Sequence, residues 1–249
     1  MYSIKKIARF AGLIYLVVVL TGIFSLAYVP SRLIDWKDAA KTVQQISASE
    51  SLFRWGIASS FICYIAFLFL PLALYKLLKP VQKQAAKLMV IIAIVSIPIS
   101  FLNMQHKFEV LTLIKGADHL KIFDSVQIAS QVMAQLSAYD DGILIVTVFW
   151  GLWLLPFGFL VYHSGILPKM LGILLVLGCF GYLINFFGQV LIPDFSEMTI
   201  ARYITKPASL GEIGTCLWLL IMGVKIKPGF LAPEEDLSKQ GTIPQINRN

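Results

Sequence analysis

Ionisable and amide side chains embedded in long apolar stretches are rare and costly in lipid, and where they occur they mark acid–base, ion-pairing or ligand-binding chemistry. Glu212 is the sharpest case in this 249-residue sequence, standing inside Pro207 to Val224, a run with no other charge. Arg54, Asn103, His106, Asp140, Asp141, Asn185 and Gln189 are the other candidates, each inside or at the end of an apolar run. A carboxylate so placed could bind a cation, carry a proton or answer an arginine. The histidine could relay protons, and the amides could hold a polar ligand.

Depth can be read at about 1.5 Å per residue from the nearest basic residue at the other end of each run. Glu212 lies about 17 to 20 Å from Lys225, and Asn103 and His106 about 24 and 28 Å from Lys87. Asn185 and Gln189 lie about 24 and 30 Å from Lys169, with Arg54, Asp140 and Asp141 near the same outer boundary. Turned inward together, these groups would line a polar cavity open to the outside, with Arg54 a candidate partner for Glu212, Asp140 or Asp141. Each also has a structural reading. Arg54 and the two aspartates can reach lipid headgroups, and Asn103 and Asn185 can bond between helices. His106 can sit at the interface, and Glu212 can occupy the first turn of a helix starting near Ala208, held by the helix dipole and Arg54.

The elements that must position these groups follow from composition. Hydrophobic residues make up 57% of the chain and charged residues 14%, against roughly 25% charged in a soluble domain. The uncharged runs are Phe10 to Ser31, Trp55 to Tyr75, Leu88 to His106, Gly142 to Pro168 and Met170 to Pro193. Each exceeds the roughly 17 to 20 residues that cross about 30 Å of hydrocarbon as a helix. A sixth span requires that Glu212 enter the membrane. The fold class expected is therefore all-α, a polytopic bundle of about six transmembrane helices over residues 1–227. Lys5, Lys6 and Arg9 ahead of the first run also allow a cleavable signal peptide, but the apolar stretch is longer than a signal core of roughly 7 to 15 residues.

Six spans put both termini on one side with the loops around residues 76–87 and 162–169, a side rich in lysine and arginine, which the positive-inside rule assigns to the cytoplasm. The net charge of +7 is spread over short juxtamembrane loops with no nucleic-acid motif around it, so topology and anionic headgroups account for it. Two longer segments fall on the opposite side. In the first, near 36–47, Trp36, Ala40, Val43 and Ile46 share a helical face, and Ser47 to Glu50 matches a capping box ahead of the second span. In the second, near 120–139, Ile122, Val126, Ala129, Met133 and Leu136 form a stripe expected to rest on the outer leaflet or fold over the bundle mouth. Residues 228–249 read as a polar, disordered tail.

Pro71, Pro98 and Pro156 fall inside spans that neighbouring helices can accommodate, and Gly172, Gly178, Gly181 and Gly188 suggest close helix packing. Cys63, Cys179 and Cys216 lie in apolar runs without CxxC or Cys/His spacing and read as small packing residues. His106, His119 and His163 do not make a metal site, since His163 lies on the opposite side from the others. The sequence has no GxSxG, HExxH, P-loop or dinucleotide-binding fingerprint, so no recognised enzyme class is indicated and no cofactor or metal is expected.

Ala8 to Ser25, Leu52 to Gly56, Leu74 to Met89, Gly158 to Gly188 and Gly211 to Lys225 together resemble a family of uncharacterised bacterial multi-pass membrane proteins, domain of unknown function 4386. The resemblance implies a helical bundle in a bacterial cytoplasmic membrane and no particular activity. The leading expectation is a non-enzymatic protein that binds or moves a small solute, ion or lipid through an outward-facing polar site. The alternatives are an accessory protein docking a membrane-protein partner through its two amphipathic segments, and an intramembrane enzyme using Glu212 or Asp141 as acid or base with His106 as relay.

Overall fold

The structure, a computed structural model, describes residues 2–116 and 122–224. Among these the chain is all-helical, with no strand. Helix α1 (Tyr2–Ile23) runs through a π-helical turn (Phe24–Tyr28) into α2 (Val29–Leu33), and α3 (Ala39–Ala48) returns the chain to α4 (Glu50–Leu78). Helices α5 (Lys83–Asn103) and α6 (Gln105–Lys115) are separated by one turn residue, Met104. Helix α7 (Ser125–Ser164) is followed by α8 (Lys169–Leu191), α9 (Thr199–Ile204) and α10 (Lys206–Leu217), the last ending in a second π-helical turn (Trp218–Met222).

Among the described residues, five helical segments are long and apolar enough to cross a membrane: Ile4–Leu33, Glu50–Leu78, Lys83–Lys115, Ser125–Ser164 and Lys169–Leu191. Each presents large apolar side chains outward, among them Leu20, Phe69, Ile91, Phe159 and Phe187. Such a surface is matched by lipid, not by water. Pro71, Pro98 and Pro156 all lie inside helices.

The long runs alternate in direction, so the bundle has a near end, where the chain begins, and a far end, where α3 and α6 lie. Two cores stack along it. The near-end core is built on Tyr15, Leu74, Met89, Trp153, Phe157 and Leu160, and the far-end core on Ile46, Phe53, Tyr64, Met104, Val132 and Leu136. Helix α10 packs along α8 and crosses α1. It can lie that close to α8 because a β-carbon at Gly178 would meet the Ala208 backbone at 2.6 Å.

Two expected features take a different form. The stripe expected near 120–139 is not a separate surface helix: residues 125–164 form one helix of 40 residues, about 60 Å long. Asp124 starts it with a true capping box. Its carboxylate accepts from the Gln127 amide at 2.8 Å, and Gln127 Oε1 accepts from the Asp124 amide at 2.9 Å. No proline lies between Asp124 and Pro156, and the poor helix formers Asp140, Asp141 and Gly142 do not end the helix because α6 packs along it and Asn103 bonds the Tyr139 carbonyl. Its buried side is Ala129, Val132, Leu136 and Tyr139, packed on α6, while Val126 at the tip is exposed.

The second difference is the capping box expected at Ser47. That serine lies inside α3, which runs to Ala48, and α4 starts from Ser49 without a side-chain cap. The side-chain cap forms at the other end of α3, where Asp38 Oδ1 accepts from the Lys41 amide at 2.9 Å. Thr42 and Ile46 form the buried side of α3, and Trp36 and Ala40 are exposed. The tail expected over residues 228–249 lies outside the described residues.

Candidate functional site

The near-end halves of α1 and α10 are in tight contact, and their far-end halves diverge. At the contact, a β-carbon on Gly12 would meet the Leu220 amide nitrogen at 2.7 Å, and Cys216 Sγ lies 3.7 Å from the Gly12 carbonyl. From there the helices open around a cavity of about 320 Å³, within the roughly 300–1,000 Å³ of small-ligand pockets. One face of α1 and of the π-helical turn that follows it, from Tyr15 through Gly22 to Ala27, forms one wall, and Ser209, Glu212 and Ile213 of α10 form the opposite rim. Cys63, Tyr64 and Phe67 of α4, Trp150 and Trp153 of α7 and Tyr182 of α8 close the back. The cavity thus lies where the two cores meet. Both π-helical turns fall on the helices that diverge around it, a placement common at functional sites.

Glu212 is half-buried in this wall, and it is the one charged residue among those described as lining the cavity. The Tyr15 hydroxyl donates to Glu212 Oε1 at 3.2 Å, and Tyr182 lies beside the same carboxylate. Among the described residues Oε2 accepts no hydrogen bond. Tyr64 is buried, and its hydroxyl makes no hydrogen bond of good geometry; its polar neighbour is the Tyr139 hydroxyl, equally unsatisfied. Ile23, Ala27, Ser209 and Ile213 at the mouth are exposed, so the opening faces sideways, between α1 and α10.

Arg54 does not meet Glu212. It pairs with Glu50 one turn earlier on the exposed side of α4, Nη2 to Oε1 at 2.6 Å. The reason is local: the i,i+4 spacing keeps the two side chains together on the helix surface. Asn103 and His106 gather elsewhere, at the α5–α6 junction against α7. Asn103 Nδ2 donates to the Tyr139 carbonyl at 2.8 Å, and His106 Nδ1 lies 2.8 Å from Gln135 Oε1. Asp140 is exposed near this junction, and Asp141 is exposed next to it in sequence. Asn185 is half-buried with no side-chain hydrogen bond, and Gln189 is exposed beside the turn at Pro193. The eight candidates therefore do not share one cavity: Glu212 alone lines the one between α1 and α10.

Two further groups were not singled out from the sequence. Lys107 is buried at the α5–α6 junction with its ammonium 4.1 Å from the centre of the Tyr139 ring. Tyr15, the hydroxyl partner of Glu212, is nearly fully buried. Spacing alone carries no signal for either, since Tyr15 and Glu212 are almost two hundred residues apart in sequence. Among the described residues no cluster of histidine, cysteine or acidic side chains could hold a metal ion. Cys63, Cys179 and Cys216 are all free and buried.

A relative from Archaeoglobus fulgidus, itself called an uncharacterized protein, is 30% identical over 172 residues, covering 69% of this chain and 86% of its own length. No solved structure matches. The family model for the domain of unknown function (DUF4386) matches residues 10–223, from the contact helix α1 through the carboxylate-bearing α10, and the chain belongs to that family.

Proposed function

We propose that this protein binds or moves a small amphipathic molecule through the cavity between α1 and α10. The observation that carries this reading is the cavity itself, a largely apolar, aromatic-walled space with one carboxylate, opening between two helices at a depth where lipid surrounds the bundle. An apolar space with a few convergent polar groups has the general character of a ligand site. The sideways mouth favours a ligand that arrives from the bilayer over one that enters from water.

The reading rests on six spans with both termini in the cytoplasm. Helix α10 and its π-helical turn cover Lys206–Met222, about 25 Å at 1.5 Å per residue. Leu210, Leu217 and Ile221 face outward along it, as lipid-facing residues do. With Lys206 at one end and Lys225 following the other, Glu212 falls within the membrane. The basic loops at the near end favour the cytoplasm by the positive-inside rule, and the exposed Trp36 and Trp55 suit the opposite interface.

The test is saturable binding of dodecanol, dodecylamine and dodecanoate to nanodiscs holding the protein, measured against empty nanodiscs. At least one should bind, and Gly22→Leu should weaken it, because position 22 lines the cavity and a β-carbon there meets Cys63 Sγ at an ordinary 3.6 Å. Binding of none of them, or binding indifferent to Gly22→Leu, overturns the reading.

A further inference from the structure

Resting on that cavity reading, we infer that the ligand is a lipophilic amine: an apolar body seated against the aromatic walls, with a protonated nitrogen at Glu212. The charge pattern carries the assignment. Glu212 is the one charge in the described lining, with no lysine, arginine or histidine among the lining residues to neutralise it. Arg54, the cation that its sequence position offered, is held by Glu50. A carboxylate at this depth needs a counter-charge or a proton, and the fold brings it only a tyrosine hydroxyl.

The geometry leaves room for that counter-charge. A carboxylate accepts several hydrogen bonds, and Tyr15 takes one, on Oε1, leaving Oε2 without a partner in a wall that faces the cavity. An ammonium has no lone pair that needs a donor in return, so it can satisfy Oε2 and introduce no new unsatisfied oxygen into the apolar space. Tyr15, Tyr182 and Trp150 surround the same space, and aromatic faces attract cations as they do not attract alcohols or carboxylates. A carboxylate ligand would meet Glu212 as a like charge. A phospholipid tail would fill the apolar part and leave Oε2 unanswered.

Equilibrium binding of radiolabelled dodecylamine to the full-length protein in nanodiscs, with dodecanol, dodecanoate and phosphatidylcholine as competitors, decides the class. The amine should bind about tenfold or more tightly than the alcohol, with dodecanoate weakest. Glu212→Gln, checked for folding by thermal unfolding, should bring the affinity ratio of amine to alcohol from tenfold or more down to about one. Equal binding of amine and alcohol by the unaltered protein overturns the inference without any variant, as does an amine preference that survives Glu212→Gln. Displacement of the amine by phosphatidylcholine at equal concentration overturns it in favour of a lipid occupant. If alcohol binding is saturable and the amine preference is missing, only the ligand class falls; if no compound binds, the cavity reading falls as well.

Discussion

The bundle carries two groups of polar side chains on its apolar helices, and their surroundings differ. At the α5–α6 junction, Asn103 and His106 are answered by the Tyr139 carbonyl and Gln135, and the Lys107 ammonium lies over an aromatic ring. None of these three lines the cavity. At the α1–α10 divergence, Glu212 has one hydrogen bond and faces open space. Polar groups alike in cost to an apolar helix are thus satisfied differently. Where the partner is part of the chain, the polar group fixes a helix junction; where the fold leaves the partner out, the group is available to a ligand.

The comparison can be broken most forcibly through packing. Gly178→Leu should force α10 off α8 at Ala208, costing about 3 kcal/mol and abolishing amphiphile binding, while the far-end junction keeps its protection from amide exchange. Uniform loss of protection along the chain would show that the two regions do not separate. Asn103→Ala should cost about 2 kcal/mol in denaturant unfolding, because it removes a buried bond between helices, and should leave amine affinity unchanged. A change in affinity would tie the junction to the cavity. Tyr15→Phe should cost about 1 kcal/mol and alter amine binding less than Glu212→Gln does, because Oε2 is the oxygen assigned to the ligand.

The smallest effect belongs to the surface, outside both regions. The Lys41 ammonium, bonded to Asp35 Oδ2 at 2.9 Å, and then the Lys37 amide, bonded to Oδ1, hold the Asp35 carboxyl below the usual carboxylate range. The same pair, through the Asp35 hydrogen bond first, holds the Lys41 ammonium above the usual lysine range. The contribution is thus complete between about pH 5 and about pH 9. It is lost as acid protonates Asp35 through its lowered value, and as base deprotonates Lys41 through its raised one. Thermal unfolding of Asp35→Asn should lie slightly below that of the unaltered protein across this range and meet it at low pH, with no change in ligand binding.

Much of the architecture is legible in the sequence because hydropathy is a local property. The uncharged runs from Phe10, Trp55 and Leu88 fall within three of the five long apolar helices, and those from Gly142 and Met170 begin in the other two and end a few residues beyond them. The stripe from Val126 to Leu136 is helical as its period indicates, but its continuity with the span runs through the poor helix formers Asp140, Asp141 and Gly142 and so depends on packing against α5 and α6. Glu212 stands out because any carboxylate in an apolar run does. The rest of the candidate group does not join it, because depth along a helix says nothing about rotation around it. Arg54 and Glu212 need only point to different faces for an expected pair to be absent.

The sequence by itself determined that the chain is helical, that five long segments are apolar enough to cross a membrane, and that a carboxylate interrupts the last apolar run, Pro207 to Val224. Tertiary structure decided what surrounds that carboxylate. The close crossing at Gly12, the divergence beyond it and the choice of Tyr15 over Arg54 depend on how helices far apart in sequence rotate and cross. Apolar content is additive along a chain, whereas the partner of a buried polar group is set by contacts between segments that no local window contains.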